Sequence, residues 1–316
     1  MKYLDCFAGI GGFSLGIKQA YESICNANGS SHGGGEGNPE GNKTPGFQPE
    51  ERESSNAEKG STCASSNSSP VERPLCIGFS EIDKYASQIY QQHFPSHKAY
   101  GDITRIDTDT LPDFDLLCGG FPCQAFSIAG KRRGFEDTRG TLFFELARIL
   151  KAKQPRYFIF ENVKGLLSHD NGNTFKTIIS TLAELGYDLE WQVLNSKNFG
   201  VPQNRERVFI VGHLRGTSGR QIFPITGCAR NNINSSIIGG TLTSRYPASQ
   251  REGAYIEEAR HDGAKIRKLT PKECERLQGF PDNWTKELSD TQRYKCLGNA
   301  VTVNVIEYLM SRILIT

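Results

Sequence analysis

The stretch "KYLDCFAGIGGFSLG" (residues 2–16) runs from an apolar strand through a glycine turn into an amphipathic helix. Tyr3, Leu4 and Cys6 read as the strand, Gly9, Gly11 and Gly12 as the turn, and Phe13 onward as a helix reaching about Tyr21. A glycine loop in that position lets a ligand approach the backbone at a helix N-terminus, although an ordinary tight turn has the same appearance. The repetition of the pattern decides the fold. "LCIGFS" (75–80) leads into the helical "DKYASQIYQQHF" (83–94), and "FDLLCGG" (114–120) precedes the helical "TLFFELARILKAK" (141–153). "RYFIFENV" (156–163) precedes the helical "TFKTIISTLAELG" (174–186), and "LEWQVLN" (189–195) and "RVFIVGHL" (207–214) read as two further strands. Such alternation predicts an α/β fold: a doubly wound, mostly parallel sheet with helices on both faces.

The chain has 316 residues, 37% hydrophobic and 23% charged, which is ordinary for a soluble protein of one large domain or one large and one small domain. No apolar run reaches membrane-spanning length, and "MKYLDCFAGI" lacks the features of a signal peptide, so the expected location is cytoplasmic, with no membrane partner. Nine cysteines scattered without a CxxC pair point to neither a disulfide framework nor a metal site. Residues 26–74 are almost free of large apolar side chains and rich in Gly, Ser, Asn, Glu and Pro, and they read as a disordered insertion. Their seven Glu outnumber four Lys and Arg, so the remainder is more basic than the net charge of +2 implies.

In doubly wound sheets ligands sit beyond the carboxyl ends of the strands. "FAGIGG", "FSEID", "CGGFPCQ" and "ENV" all fall at such ends. Glu81 stands where an acid binding ribose hydroxyls usually stands, and Asp102 in "GDIT" adds a second acid, which together point to a nucleoside-containing cofactor. In "CGGFPCQAFS" (118–127) Pro122 fixes the backbone beside Cys123 while Gly119 and Gly120 free it just before. A structural cysteine needs no such scaffold; a nucleophile does. Cys118, within the apolar strand, is assigned to the core.

The order of these motifs resembles the DNA cytosine-C5 methyltransferase family over nearly the whole chain outside the insertion. "FAGIGGFSLG" resembles the family's cofactor loop, "GFPCQAFS" its nucleophile loop and "ENV" its acid motif. "QNRERVFIVG" (203–212) resembles its paired-arginine motif, and "RKLTPKECERLQGFPDNW" (267–284) and "YKCLGNAVTVNVIEYL" (294–309) its two C-terminal motifs. The resemblance implies that Cys123 attacks carbon 6 of cytosine, that Glu161 serves nitrogen 3, and that Arg205 and Arg207 lie beside the base. It implies S-adenosylmethionine as donor, with S-adenosylhomocysteine as product. Phe7, Ile10, Gly12, Glu81, Ile82, Asp102, Ile103, Gly120, Pro122, Leu142, Asn299 and Ala300 would form the donor pocket. The family often has an aromatic after the ribose-binding acid; Ile82 keeps an apolar contact and loses the stacking.

The implied substrate is double-stranded DNA from which a cytosine is swung out. The loop "SIAGKRRGFEDTRG" (127–140) suits that task, its glycines permitting movement while Lys131, Arg132, Arg133 and Arg139 meet phosphates. Gln124 and Ser127 would contact the flipped nucleotide or fill its place. Residues 213–265, where the alternation stops, correspond to the family's small target-recognition domain, with Thr241 and Leu242 resembling a Thr-Leu pair at the flipped nucleotide's phosphate. The catalytic domain would then be 1–212, completed by the returning segment 266–316. So small a reader implies a recognition site of roughly 4–5 base pairs. The chain is expected to be a monomer acting separately from any cognate restriction endonuclease. Two other functions fit the same sequence: a transfer-RNA cytosine methyltransferase and an inactive DNA-binding homologue.

Overall fold

The computed structural model describes residues 1–29, 62–65, 68–122, 142–217, 220–225, 241–244, 255–258 and 265–315. The elements are β1 (Lys2–Cys6), α1 (Gly12–Gly29), β2 (Thr62–Ser65), β3 (Ser68–Glu72), β4 (Leu75–Ser80), α2 (Lys84–His93), β5 (Leu116–Gly120), α3 (Leu142–Lys153) and β6 (Tyr157–Val163). They continue with α4 (Asn173–Glu184), β7 (Tyr187–Asn195), β8 (Glu206–Leu214), β9 (Tyr255–Glu258), β10 (Lys265–Lys268), α5 (Pro271–Leu277), α6 (Asp290–Asn299) and α7 (Val303–Leu314).

Six strands form the main sheet in the order β4-β1-β5-β6-β8-β7. β1 pairs parallel with β4 and β5, and β5 with β6; β8 is antiparallel to both β6 and β7. Five strands therefore share one direction and β8 alone runs against them. The period of two assigns alternate residues to two cores. Tyr3, Leu116, Cys118, Tyr157 and Ile159 face one layer with Phe13 and Ile17 of α1 and Val305, Ile306 and Leu309 of α7. Leu4, Cys6, Leu117, Phe158 and Phe160 face the other, against Phe143, Leu146 and Ile149 of α3 and Ile178 and Leu182 of α4. Helices cover both faces, as the alternation predicts.

Two contacts draw the chain's ends together. α1 and α7 approach closely at Gly16, where an added Cβ would lie 2.6 Å from Ile306 Cβ and 3.0 Å from the Glu307 nitrogen. α5 opens on a capping box between Thr270 and Glu273 with Pro271 in its first turn. Beyond it Trp284 stacks on His93 of α2, ring centroids 3.5 Å apart, and donates its indole N–H to the Ile10 carbonyl at 2.9 Å.

The insertion read as 26–74 needs correction at both edges. α1 continues to Gly29, and β2 and β3 form an antiparallel pair within the supposed disorder. Residues 30–61 lie outside the described residues. The sequence points to no disulfide framework, and the structure adds one bonded cysteine among the described residues. Cys25 is disulfide-bonded, to a partner outside the described side chains, whereas Cys6, Cys76, Cys118, Cys274 and Cys296 are free and buried. Cys118 is a core residue, as read. No helix among the described residues is long and apolar enough to cross a membrane.

Candidate active site

The parallel strands β1, β4, β5 and β6 bring their carboxyl ends to one edge of the sheet. Because β8 is reversed, its amino end joins them there. Gly120, the last residue of β5, lies opposite Glu161 in β6, and Arg207 near the start of β8 lies opposite Val163. This register sets Arg207 diagonally across from Glu161, and its Nε donates to the carboxylate at 2.9 Å with both side chains mostly buried. Burial raises the Glu161 pKa above the ordinary carboxylate value, while the Arg207 and Arg205 charges pull it back only in part. Gly120 has no side chain for a reason of space: a Cβ there would meet Glu161 Oε2 at 3.2 Å.

Asn162, between Glu161 and Val163, is buried and donates through Nδ2 to the Phe121 carbonyl at 2.9 Å. Its Oδ1 accepts from the Val163 amide at 2.8 Å. It therefore fixes the residue before exposed Pro122 to the end of β6, and sequence reasoning did not assign it a task. Cys123 and the other loop positions expected to act, Gln124, Ser127, Lys131, Arg132, Arg133 and Arg139, lie outside the described residues.

The neighbouring pocket begins at Phe7, whose backbone is left-handed (φ 53°), an arrangement held by the Ala8 amide donating to the Ser80 carbonyl at 3.1 Å. Glu81 accepts from the Gly9 amide at 2.9 Å and the Asp83 amide at 2.7 Å, so it shapes the glycine loop, and burial raises its pKa. Ile82 is 73% exposed. Asp102 accepts from the Thr104 amide and hydroxyl at 3.0 and 2.9 Å; these bonds hold its pKa below the ordinary value, and it remains ionised. Gly9 and Gly101 both have positive φ, and a Cβ at either would meet nothing within 4 Å. Open backbone, two carboxylates and an exposed apolar side chain fit a ligand carrying ribose hydroxyls, an exocyclic amine and a flat ring.

The remaining expected contacts divide. Leu142 is partly buried and Asn299 exposed. Ile10, Ile103 and Ala300 are buried core residues at 1%, 2% and 5% exposure, and their side chains are committed to packing. Thr241 is half-buried and donates to the Asn204 carbonyl. Leu242, expected at a phosphate, has a wholly buried side chain. Arg205 departs furthest from its expected place beside the base. It precedes β8, so pleat alternation does not govern it, and its guanidinium donates to the carbonyls of Leu242, Gly298 and Ala300. Beyond β8, Glu190 of β7 accepts from the Ile222 and Phe223 amides, and Ile222, Phe223 and Ile225 pack into the first core. Among the described residues no cluster could hold a metal ion.

A sequence profile of the C-5 cytosine-specific DNA methylases matches residues 72–226 and 217–314. The Type II methyltransferase M1.ScrFI of Lactococcus lactis subsp. cremoris is 42% identical over 285 residues, covering 77% of this chain and 73% of its own. The Type II methyltransferase M.HhaI of Haemophilus parahaemolyticus is 35% identical over 295 residues, covering 74% of this chain and 86% of its own. In three dimensions the chain superposes on the crystal structure of S. pombe Dnmt2 methyltransferase with a TM-score of 0.67 at 17% identity, over 98% of this chain and 97% of that one, which establishes a common fold.

Proposed function

This chain belongs to the C-5 cytosine-specific DNA methylases, and from that premise we propose how its residues carry the reaction. It is a DNA cytosine-C5 methyltransferase, and the likeness extends to the methyltransferases of Type II restriction-modification systems. Carbon 5 of cytosine is a weak nucleophile. Addition of the Cys123 thiolate at carbon 6 breaks the ring's aromaticity and makes carbon 5 enamine-like. Negative charge then develops toward nitrogen 3, where Glu161 donates a proton or hydrogen bond. A carboxyl that is to donate at neutral pH must hold its proton, and burial at the end of β6 favours that. Arg207 fixes the direction of the carboxyl.

S-adenosylmethionine, when bound, supplies an electrophilic methyl group. Glu81 would accept from its ribose hydroxyls, Asp102 from its adenine amine, and Ile82 would cover the ring. Once carbon 5 is methylated, loss of its proton and expulsion of Cys123 restore the aromatic base. The basic side chains of 127–140 would meet phosphates around the flipped cytosine, and the region 213–265, apart from the residues packed into the first core, would read the sequence. The enzyme works as a cytoplasmic monomer, separately from any partner endonuclease.

The observation that carries this reading is the Glu161–Arg207 pair, set at a strand end opposite Gly120, which precedes Cys123 by three residues. Bisulfite sequencing of DNA from cells expressing the protein should show one short motif methylated at a fixed cytosine, while transfer RNA offered in parallel stays unmodified. A duplex with 5-fluorocytosine at that position should trap the protein covalently, because fluorine cannot leave as a cation. Cys123→Ser should abolish both transfer and trapping, since an alcohol is far less ionised than a thiol. Robust methylation by that variant would sink the assignment.

A further inference from the structure

Four stretches of the chain, at 203–205, 242–244, 277–278 and 297–302, meet at a buried polar knot beside the catalytic site. Arg205 is 3% exposed. Its guanidinium donates to Leu242 O at 2.6 Å, Gly298 O at 3.1 Å and Ala300 O at 2.9 Å. Gln203, wholly buried, accepts from the Leu242 amide at 2.9 Å and donates to the Leu277 carbonyl at 2.8 Å. Gln278, also wholly buried, donates to Leu297 O at 2.7 Å and accepts from the Thr302 hydroxyl at 2.9 Å. The segments touch directly as well. A Cβ on Gly298 would sit 2.2 Å from the Thr243 carbonyl carbon and 2.3 Å from the Ser244 nitrogen, so backbone lies on backbone there.

Burying a cation is costly, and well-packed apolar residues often do as well or better for stability alone. What a guanidinium adds is a planar fork that holds several acceptors in fixed relation. Here the acceptors belong to two segments with different expected duties: 241–244 lies within the region 213–265 expected to read the DNA, and 298–300 lies where the family resemblance sets the donor. We propose that Arg205 is a positioning residue that couples these segments, so that duplex DNA and the methyl donor bind with positive cooperativity through it. The proposal rests on the functional reading above and on the family resemblance, which sets the 241–242 pair at the DNA and exposed Asn299 at the donor. A donor held against 298–300 steadies the two carbonyls that already sit on the fork. The fork and Gln203 hold Leu242 by its carbonyl and amide, so the segment expected at the DNA is steadied before DNA arrives.

Hydrogen exchange on the wild-type protein tests this without any variant. S-adenosylhomocysteine alone should slow exchange at the Leu242 amide at least about threefold, alongside protection of the glycine loop. Protection of the glycine loop with Leu242 unchanged overturns the coupling. The second test compares the duplex Kd with and without S-adenosylhomocysteine, using a duplex that carries the motif found by bisulfite sequencing. The product should tighten wild-type binding by about tenfold. In Arg205→Met that ratio should fall to near one while each ligand still binds alone, and Arg205→Lys, a point charge without the fork, should be intermediate. A residue needed only for folding would weaken both ligands and leave the ratio intact. Where Arg205→Met fails to fold, Gly298→Ala strains the same junction from the other side and should lower the ratio. A cooperative wild type with undiminished ratios in the variants refutes the coupling alone. A wild type that neither binds S-adenosylhomocysteine nor methylates DNA refutes the functional reading and the coupling with it.

Discussion

Glu161 shows how a single side chain is tuned by opposing influences. Burial raises its pKa, Arg207 at 2.9 Å lowers it, and the net result lies above the ordinary carboxylate value. The sign of the pH dependence follows. The protonated form is the donor, so activity is present below the folded-state pKa and is lost as pH rises through it. Glu161→Gln should lower kcat by roughly 10²–10⁴-fold with little change in duplex Kd, and its pH–kcat profile should lack the alkaline limb assigned to the acid. An unchanged profile in the variant would remove Glu161 from the proton transfer. This residue was legible in the sequence because an acid at the end of an apolar strand is conspicuous. The aim of Arg205 was not. Its spacing from Arg207 implies a shared pleat face, but the strand begins only at Glu206, and its bonds go to carbonyls 37 to 95 residues away. Asn162 escaped for a related reason, since a local sequence does not reveal that a side-chain amide will pin another strand's loop.

At the scale of elements, the α1–α7 contact is set by one small residue. Gly16→Ala would place a Cβ 2.6 Å from Ile306 Cβ in a contact with no slack. The helices must separate, because neither Ile306 Cβ nor the Glu307 nitrogen moves with a rotamer, at about 1–3 kcal/mol of stability. Urea denaturation should show a lower midpoint with an unchanged slope, and an unshifted midpoint would mean that α7 yields freely. Strand positions were readable from apolar runs: the stretches read at 75–80 and 189–195 correspond to β4 (Leu75–Ser80) and β7 (Tyr187–Asn195). The reversal of β8 was not readable, because periodicity of two is the same in either direction. β2 and β3 were missed because "TCAS" and "SSPVE" carry too few apolar residues to stand out from their surroundings.

For the whole molecule, the question is how the fold tolerates residues 30–61. They join α1 to β2 on the way to β4, whose amino end lies opposite the catalytic edge. Loop-closure entropy grows only logarithmically with length, so a long connection there costs little. Replacing 30–61 with a short Gly-Ser linker, leaving β2 and β3 in place, should keep methylation within about twofold of wild type and the melting temperature nearly unchanged. The readouts are methyl incorporation and thermal unfolding of the two proteins side by side. A folded deletion variant without methyl transfer would show that the insertion takes part in the reaction, for example by docking a partner.

The bond from Trp284 to the Ile10 carbonyl spans 274 positions of chain, and α7 covers α1. This bears on biosynthesis. β1 is translated before β4 and β5, yet it lies between them in the sheet, and the Ile10 carbonyl in the glycine loop that follows it has no indole partner until the segment carrying Trp284 has left the ribosome. Contacts so distant in sequence form late and slowly. A chain cut off before Trp284 and α7 is thus a polypeptide whose glycine loop and first helix lack their cover, and methylating capacity comes only once those segments have emerged and packed.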